Sequence, residues 1–293
     1  SLSVNSIFTH PPAHAGINRH LQILDQYGGF FAELGEYEMA DVVYEKAFLV
    51  STEALGAQDP RTTLRLQSLA NNDAELQRYE LAEQRLQDAQ ATLVKAVGAE
   101  ALPTINVLED LAQLYQRQGK LRPALEPLEQ SYALRTKVQG PEEIQTLETK
   151  ERLAELYRQL GRPNEAEPMF LEVIATAEQL LGIADPLVID AKSHLAQLYE
   201  NTNNFVASLR YYQEVYEIDQ QILGDAHPNT AGDLNNLAGI YRRLGQLQQS
   251  EATYRQALQA MSAALGEGAP QTISIMNNLA LVLESQGLYD EAE

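Results

Sequence analysis

The chain has 293 residues, 41 acidic against 21 basic, and a net charge of −20 that argues against nucleic acid or an anionic membrane as a partner. It has no cysteine, which excludes disulfides and thiolate metal sites, and no apolar run near the roughly twenty residues of a membrane span. An apolar share of 44 % is enough for a continuous core along a stack of helices.

Residues 1–16 read as an N-terminal arm. His10, His14 and His20 match no strong metal pattern, and Pro11-Pro12 between the first two predicts extended chain. From residue 17 a 42-residue period takes over without an insertion. One series of glycines or stand-ins runs Gly35, Gln77, Gly119, Gly161, Asn203, Gly245 and Gly287. A second, 21 residues out of step, runs Gly56, Gly98, Gly140, Gly182, Gly224 and Gly266. Such a fixed period signals stacked supersecondary repeats. The predicted repeats are 17–60, 61–102, 103–144, 145–186, 187–228, 229–270 and 271–293, together one repeat domain over 17–293. The last should be cut short inside its second helix.

Repeat six is the clearest. A first helix is predicted from about 230 to 244, with Leu234, Leu237, Ala238 and Tyr241 on one face, ended by Gly245. A second follows from about 247 to 265, burying Tyr254, Ala257, Leu258 and Met261. The first helices carry a small residue in register (Gly28, Ala70, Ala112, Ala154, Ala196, Ala238, Ala280), preceded by Tyr27 or a leucine. Three positions on stand Phe31, Tyr115, Tyr157, Tyr199 and Tyr241, expected to be buried. Second helices have their own small positions at Ala40, Ala82, Ala124, Ala166, Ser208, Ser250 and Ala292.

Some positions break the pattern. Asp73 replaces the aromatic and Gln77 the glycine of repeat two, which predicts a first helix that ends early or tilts. Asn203 can keep the left-handed backbone of the glycine it replaces. Pro127 and Pro168 predict small kinks in otherwise continuous helices.

The order leucine, small, two residues, tyrosine, three residues, glycine, then small, aromatic and small residues, resembles the tetratricopeptide repeat. The 42-residue spacing is similar to its kinesin-light-chain variety, most closely in repeat six with His227-Pro228, Leu234-Asn235-Asn236-Leu237-Ala238, Tyr241 and Gly245. The resemblance covers about residues 17–293 and implies an all-α, right-handed superhelical solenoid of about seven antiparallel helix pairs. It also implies that the first helices line a concave groove for extended or helical peptides.

By that resemblance two positions before the leucine face the groove. The first reads Asp25, Gln67, Glu109, Glu151, Ser193, Asn235, Asn277, and the second Gln26, Ser68, Asp110, Arg152, His194, Asn236, Asn278. Asparagine both donates and accepts, so it can pair with any peptide backbone. Arg117, Arg158, Arg242 and Arg243 lie near the ends of their first helices, and an arginine fork can hold a carboxylate. Gly232 and Gly239 would let a ligand backbone approach. The candidate peptide site is therefore Asn235, Asn236, Arg242, Arg243, Asn277, Asn278, His194, Arg158, Arg152 and Arg117, centred on repeats five to seven and suited to a polar or acidic ligand. A solvated helix face with internal arginine–glutamate pairs is the plain alternative.

No phosphate loop, nucleophile elbow or zinc-binding histidine pair is present, so no enzymatic activity, cofactor or metal is expected. The expected function is a non-catalytic adaptor or scaffold. The alternative is the regulatory sensor arm of a larger enzyme or signalling protein, and end-to-end self-association is a third reading. The span has no signal or membrane segment, which points weakly to the cytoplasm.

Overall fold

A computed structural model describes residues 16–287, and these form thirteen α-helices with no strand. The chain divides into two compact units, residues 1–141 and 142–293. In the first unit the helices are α1 (Ile17–Glu33), α2 (Tyr37–Leu55), α3 (Pro60–Glu75), α4 (Tyr79–Val97), α5 (Leu102–Arg117) and α6 (Leu121–Val138). In the second they are α7 (Ile144–Gln159), α8 (Pro163–Leu181), α9 (Pro186–Asn201), α10 (Phe205–Leu223), α11 (Pro228–Arg243), α12 (Leu247–Leu265) and α13 (Pro270–Gln286). Odd-numbered helices are the first helices of the predicted repeats and even-numbered ones the second. Within each unit, helices joined by these short turns pack against one another, giving the expected all-α repeat. Residues 1–15 of the arm, Ala292 and the second helix of repeat seven lie outside the described residues.

Each pair closes the same way. The residue in the first glycine series takes a positive φ, between +59° at Gln77 and +78° at Gly287. The next backbone N–H then turns back onto the carbonyl five residues earlier, as in Glu36 to Phe31, Arg78 to Asp73 and Gln246 to Tyr241. This satisfies a carbonyl that the helix end would leave bare. Asn203 takes the same conformation at +61°.

The expected early end of the first helix in repeat two does not occur. α3 has the same sixteen residues as α5 and α7. Gln77 accepts the left-handed turn, and the fully buried Asp73 carboxylate is held by Arg85 of α4 and by Arg78 at 3.4 Å. Helices α6 and α8 run on through Pro127 and Pro168.

The small residues do the close packing. Ala40, Ala82, Ala124, Ala166, Ala70, Ala112, Ala154, Ala196 and Ala238 are all fully buried, and a Cβ on Gly28 would come within 2.5 Å of the Tyr44 ring. The aromatics three positions on behave differently from expectation. Phe31, Tyr115, Tyr157, Tyr199 and Tyr241 are only half-buried. A phenol gains by keeping its polar end at the surface, and the Tyr115 and Tyr199 hydroxyls donate to Glu83 and Glu167 at 2.8 and 2.7 Å. The fully enclosed rings are Phe170, Tyr212 and Tyr254 on second helices. A further 42-residue series, Thr62, Thr104, Thr146, Thr230 and Thr272, is buried at the starts of first helices. Thr104 and Thr272 donate to the Gly98 and Gly266 carbonyls at 2.8 Å, tying each first helix to the end of the preceding helix.

Candidate functional site

Three pairs of successive first helices touch, α3 with α5, α7 with α9 and α11 with α13. The two groove positions meet across these contacts. The first position of one repeat bonds to the second position of the next, 43 residues away. Gln67 donates to Asp110 at 2.6 Å, Glu151 and the His194 ring approach to 2.6 Å, and Asn278 donates to Asn235 at 3.0 Å. These rungs tie the repeats together, and a search at 43 rather than 42 residues would have found them.

In the first unit the rung from Gln67 to Asp110 is part of an internally bonded polar surface. Asn71 adds a second bond to Asp110, and Arg117 of α5 pairs with Glu75 of α3 at 2.7 Å. These residues wall a small cleft of about 210 Å³. Nearby, Arg135 is buried against Glu109 at 2.6 Å and Asn106 at 2.7 Å. Arg117 is therefore spent on an internal carboxylate.

The early part of the second unit is similar. Arg158 holds Glu155 through two bonds of 2.6 and 2.7 Å on its own helix, and half-exposed Arg152 is also engaged. Burial alone would lower the His194 pKa, but the hydrogen bond and charge of Glu151, with Glu155 behind, raise it above the ordinary histidine value. A histidine raised in the fold stabilises it below its unfolded pKa, and that contribution is lost as pH rises through the folded value. We expect an NMR titration of His194 to show a midpoint above 6.5. Glu151→Gln should bring it to 6.5 or below, because burial then loses its main opponent; no change would contradict the rung.

Helices α11 and α13 differ. Asn235, Asn236 and Asn278 are half-exposed and Asn277 is exposed. Asn235 and Asn236, with Gly232, Met261, Ser274 and Ile275, line an open cleft of about 420 Å³. Asn235 reaches Asn236 only at 3.5 Å, which leaves both amides with unused capacity. A Cβ on Gly232 would meet nothing within 4 Å, so the helix backbone is open to approach. Gly239 is different: it faces the Tyr254 hydroxyl, 3.4 Å from where a Cβ would stand, and is spent on packing. Arg242 lies beside that hydroxyl, with its Nε buried and unpartnered, while Arg243 is exposed. His227 is the N-cap of α11, its ring nitrogen accepting from the Asn229 backbone at 3.2 Å. No cluster of metal-ligating side chains occurs among the described residues, and none of their helices is long and apolar enough to cross a membrane.

Sequence reading missed the buried charges. Lys192 is enclosed between Glu178 and Glu214 at 2.7 and 2.9 Å, and Lys150 is paired with Glu172. Asp219 and Asp233 are buried against each other. Aligning the repeats would have shown charges at these core positions, since the counterparts of Asp233 include Ala191 and Ile275.

A family model for the tetratricopeptide repeat matches residues 62–137, 124–179, 145–221 and 232–293. No curated protein matches the chain. Among solved structures, nearly identical TPR-like repeats of a kinesin light chain from Podosopora anserina align with TM-score 0.64 and 23 % identity, covering 71 % of this chain and 98 % of that one. BtubC (BKLC) from P. vanneervenii aligns with TM-score 0.64 and 18 % identity over 85 % of this chain and 92 % of that one. A signal transduction ATPase with numerous domains from Pyrococcus horikoshii, with a tetratricopeptide repeat sensor, aligns with TM-score 0.70 and 16 % identity over 94 % of this chain and 42 % of that one. At these identities the likeness is one of fold.

Proposed function

The chain belongs to the tetratricopeptide repeat family, whose repeats generally mediate protein–protein interaction, and on that premise we propose that it is a non-catalytic adaptor or scaffold holding a polypeptide along its first helices. The principal site is on α11 and α13: Asn235, Asn236, Asn277 and Asn278 read the ligand backbone, and Arg242 and Arg243 attract a polar or acidic stretch. One observation carries this placement. Arg117 and Arg158 are each held by a carboxylate within 2.7 Å, and His194 by Glu151, whereas Arg243 is exposed near the end of α11, the helix whose Asn235 and Asn236 help to line an open cleft. Internal pairing is the better account of the positive residues elsewhere on this face.

The test is a paired pull-down with mass spectrometry, using the chain and an Asn236→Ala/Arg243→Ala variant. Arg242 is spared because it packs by Tyr254. Proteins held by the parent should be lost from the variant, with affinity at least about tenfold weaker (about 1.4 kcal/mol) and the melting curve unchanged. Equal affinity for the same partners would remove the proposal. A sensor arm of a larger signalling protein is the second reading, favoured by the likeness to the Pyrococcus horikoshii sensor protein.

A further inference from the structure

We propose that the cleft over Leu234, between the second helices α10 and α12, receives a tryptophan or tyrosine side chain of a partner polypeptide. This site is apart from the first-helix site above and rests only on the family's general role in protein–protein interaction.

Repeat register shows how the cleft arises. In repeat five, Lys192 of α9 is buried and held by Glu178 of α8 at 2.7 Å and Glu214 of α10 at 2.9 Å. The same three positions one repeat later are Leu234, Gln220 and Gln256. A third acid, Glu217, becomes Gln259. Four charges are thus removed together, and two side chains shorten, Lys192 to Leu234 and Ile218 to Ala260. What fills the earlier step is missing from the later one, and an open cleft of about 480 Å³ stands there.

A cleft of that size is in the range of natural ligand sites, roughly 300–1,000 Å³. Leu234 and the half-buried Ala260 form its apolar floor, and the exposed Gln256 and Gln259 stand at its mouth. Neither glutamine hydrogen-bonds to another described residue, so each amide keeps a donor and an acceptor for a guest.

The lining selects the guest. On a chain with 41 acids, the wall has a single carboxylate among the described residues, Asp225, whose Oδ1 already accepts from Gln220 at 2.7 Å. A cation entering here meets amides where Lys192 meets two carboxylates, and loses hydration without a matching charge. An anion meets Asp225. An uncharged guest loses the least, and the cores of protein interfaces are likewise depleted of charge. It needs an apolar body for Leu234, Ala260 and the Tyr216 ring, and a hydrogen-bonding group for the amides at the mouth. A purely aliphatic side chain would cover those amides and leave them unpaired. Indole and phenol rings combine both features and are common anchors of interfaces.

The chain has no tryptophan, so a tryptophan in a bound peptide reports its own surroundings. The test is selection of random phage-displayed dodecapeptides on the whole chain carrying Asn236→Ala/Arg243→Ala, which takes the first-helix site out of the selection. We expect tryptophan or tyrosine in the enriched set, blue-shifted tryptophan emission on binding, and about tenfold weaker binding when the aromatic residue is replaced by alanine. Two further changes in the same chain put back residues of repeat five. Gln256→Glu/Gln259→Glu restores charge at the exposed mouth, and Ala260→Ile fills the floor. Each should weaken these peptides at least about tenfold, with thermal melts showing that the fold is kept. If Ala260→Ile melts low, the glutamate variant decides. Enriched peptides without an aromatic residue, or peptides that bind a folded variant undiminished, overturn the inference. Free N-acetyltryptophanamide binding as tightly as the peptides also overturns it, since the guest would then be a small molecule. So does a selection that enriches nothing. Each of these failures leaves the first-helix site standing, because that site is tested separately by the pull-down.

Discussion

Replacing Arg85 by methionine should destabilise the first unit by about 3–5 kcal/mol, seen as a lower urea midpoint at unchanged slope. Asp73 is fully buried, and Arg85 of α4 and the more exposed Arg78 are its charge partners. Removing Arg85 leaves a carboxylate in the core with one partner 3.4 Å away. The pair itself is not a large source of stability. Burial pushes the Asp73 pKa above its ordinary value despite Arg85 and Arg78. A raised carboxyl contributes most below its unfolded pKa, and that contribution is lost as pH rises through the folded value. The double variant Asp73→Tyr/Arg85→Met should therefore recover most of the loss, since apolar replacement of a buried pair is often neutral or better. Those residues are what repeat four has, Tyr157 and Met169. An Arg85→Met protein with an unchanged midpoint would show that water reaches Asp73.

The second large effect is expected at Asp233. Burial, followed by the charge and hydrogen bond of Asp219, pushes its pKa up to about 7. The folded state then binds a proton that the unfolded chain has released from about pH 4 upward. Stability falls as pH rises between those values and levels off above the folded pKa. Three units at about 1.4 kcal/mol each amount to a cost of about 4 kcal/mol at pH 8. Asp233→Asn keeps the shape and removes the titration. It should raise the stability of the second unit by a few kcal/mol at pH 8 and change it little at pH 4, read from urea unfolding at both pH values. A variant without that pH-dependent gain would show that Asp233 is ionised and satisfied in the fold.

The period exposed the repeat architecture because the chain must reverse at fixed intervals, and the left-handed turn at each reversal favours glycine. Gly245 and Gly266 could be read directly, and Asn203 by its tolerance of that backbone. Gln77 was harder. Its conformation is imposed by the closing bond from Arg78 N–H to the Asp73 carbonyl, which involves no side chain. Asp73 misled because its compensating partner, Arg85, lies on another helix where nothing in the repeat pattern requires a cation. The groove face was legible as a set of positions, but its chemistry was not. Arg117, Arg158 and His194 look alike in sequence to Arg243, and only the placement of Glu75, Glu155 and Glu151 distinguishes them.

The rungs between successive first helices bear on how such a chain can change length. Because each joins positions 43 residues apart, excising one whole period preserves the register. Deleting residues 187–228 would bring Asn236 into the place of His194, opposite Glu151. An amide can donate to that carboxylate as the imidazole does. The seam would close with a chemically competent bond, exchanging a contact between two ionisable groups for one in which only the carboxylate is ionisable. A deletion one residue longer or shorter would turn every later module about 100° on its axis. Selection can thus lengthen or shorten this protein by whole modules far more readily than by single residues.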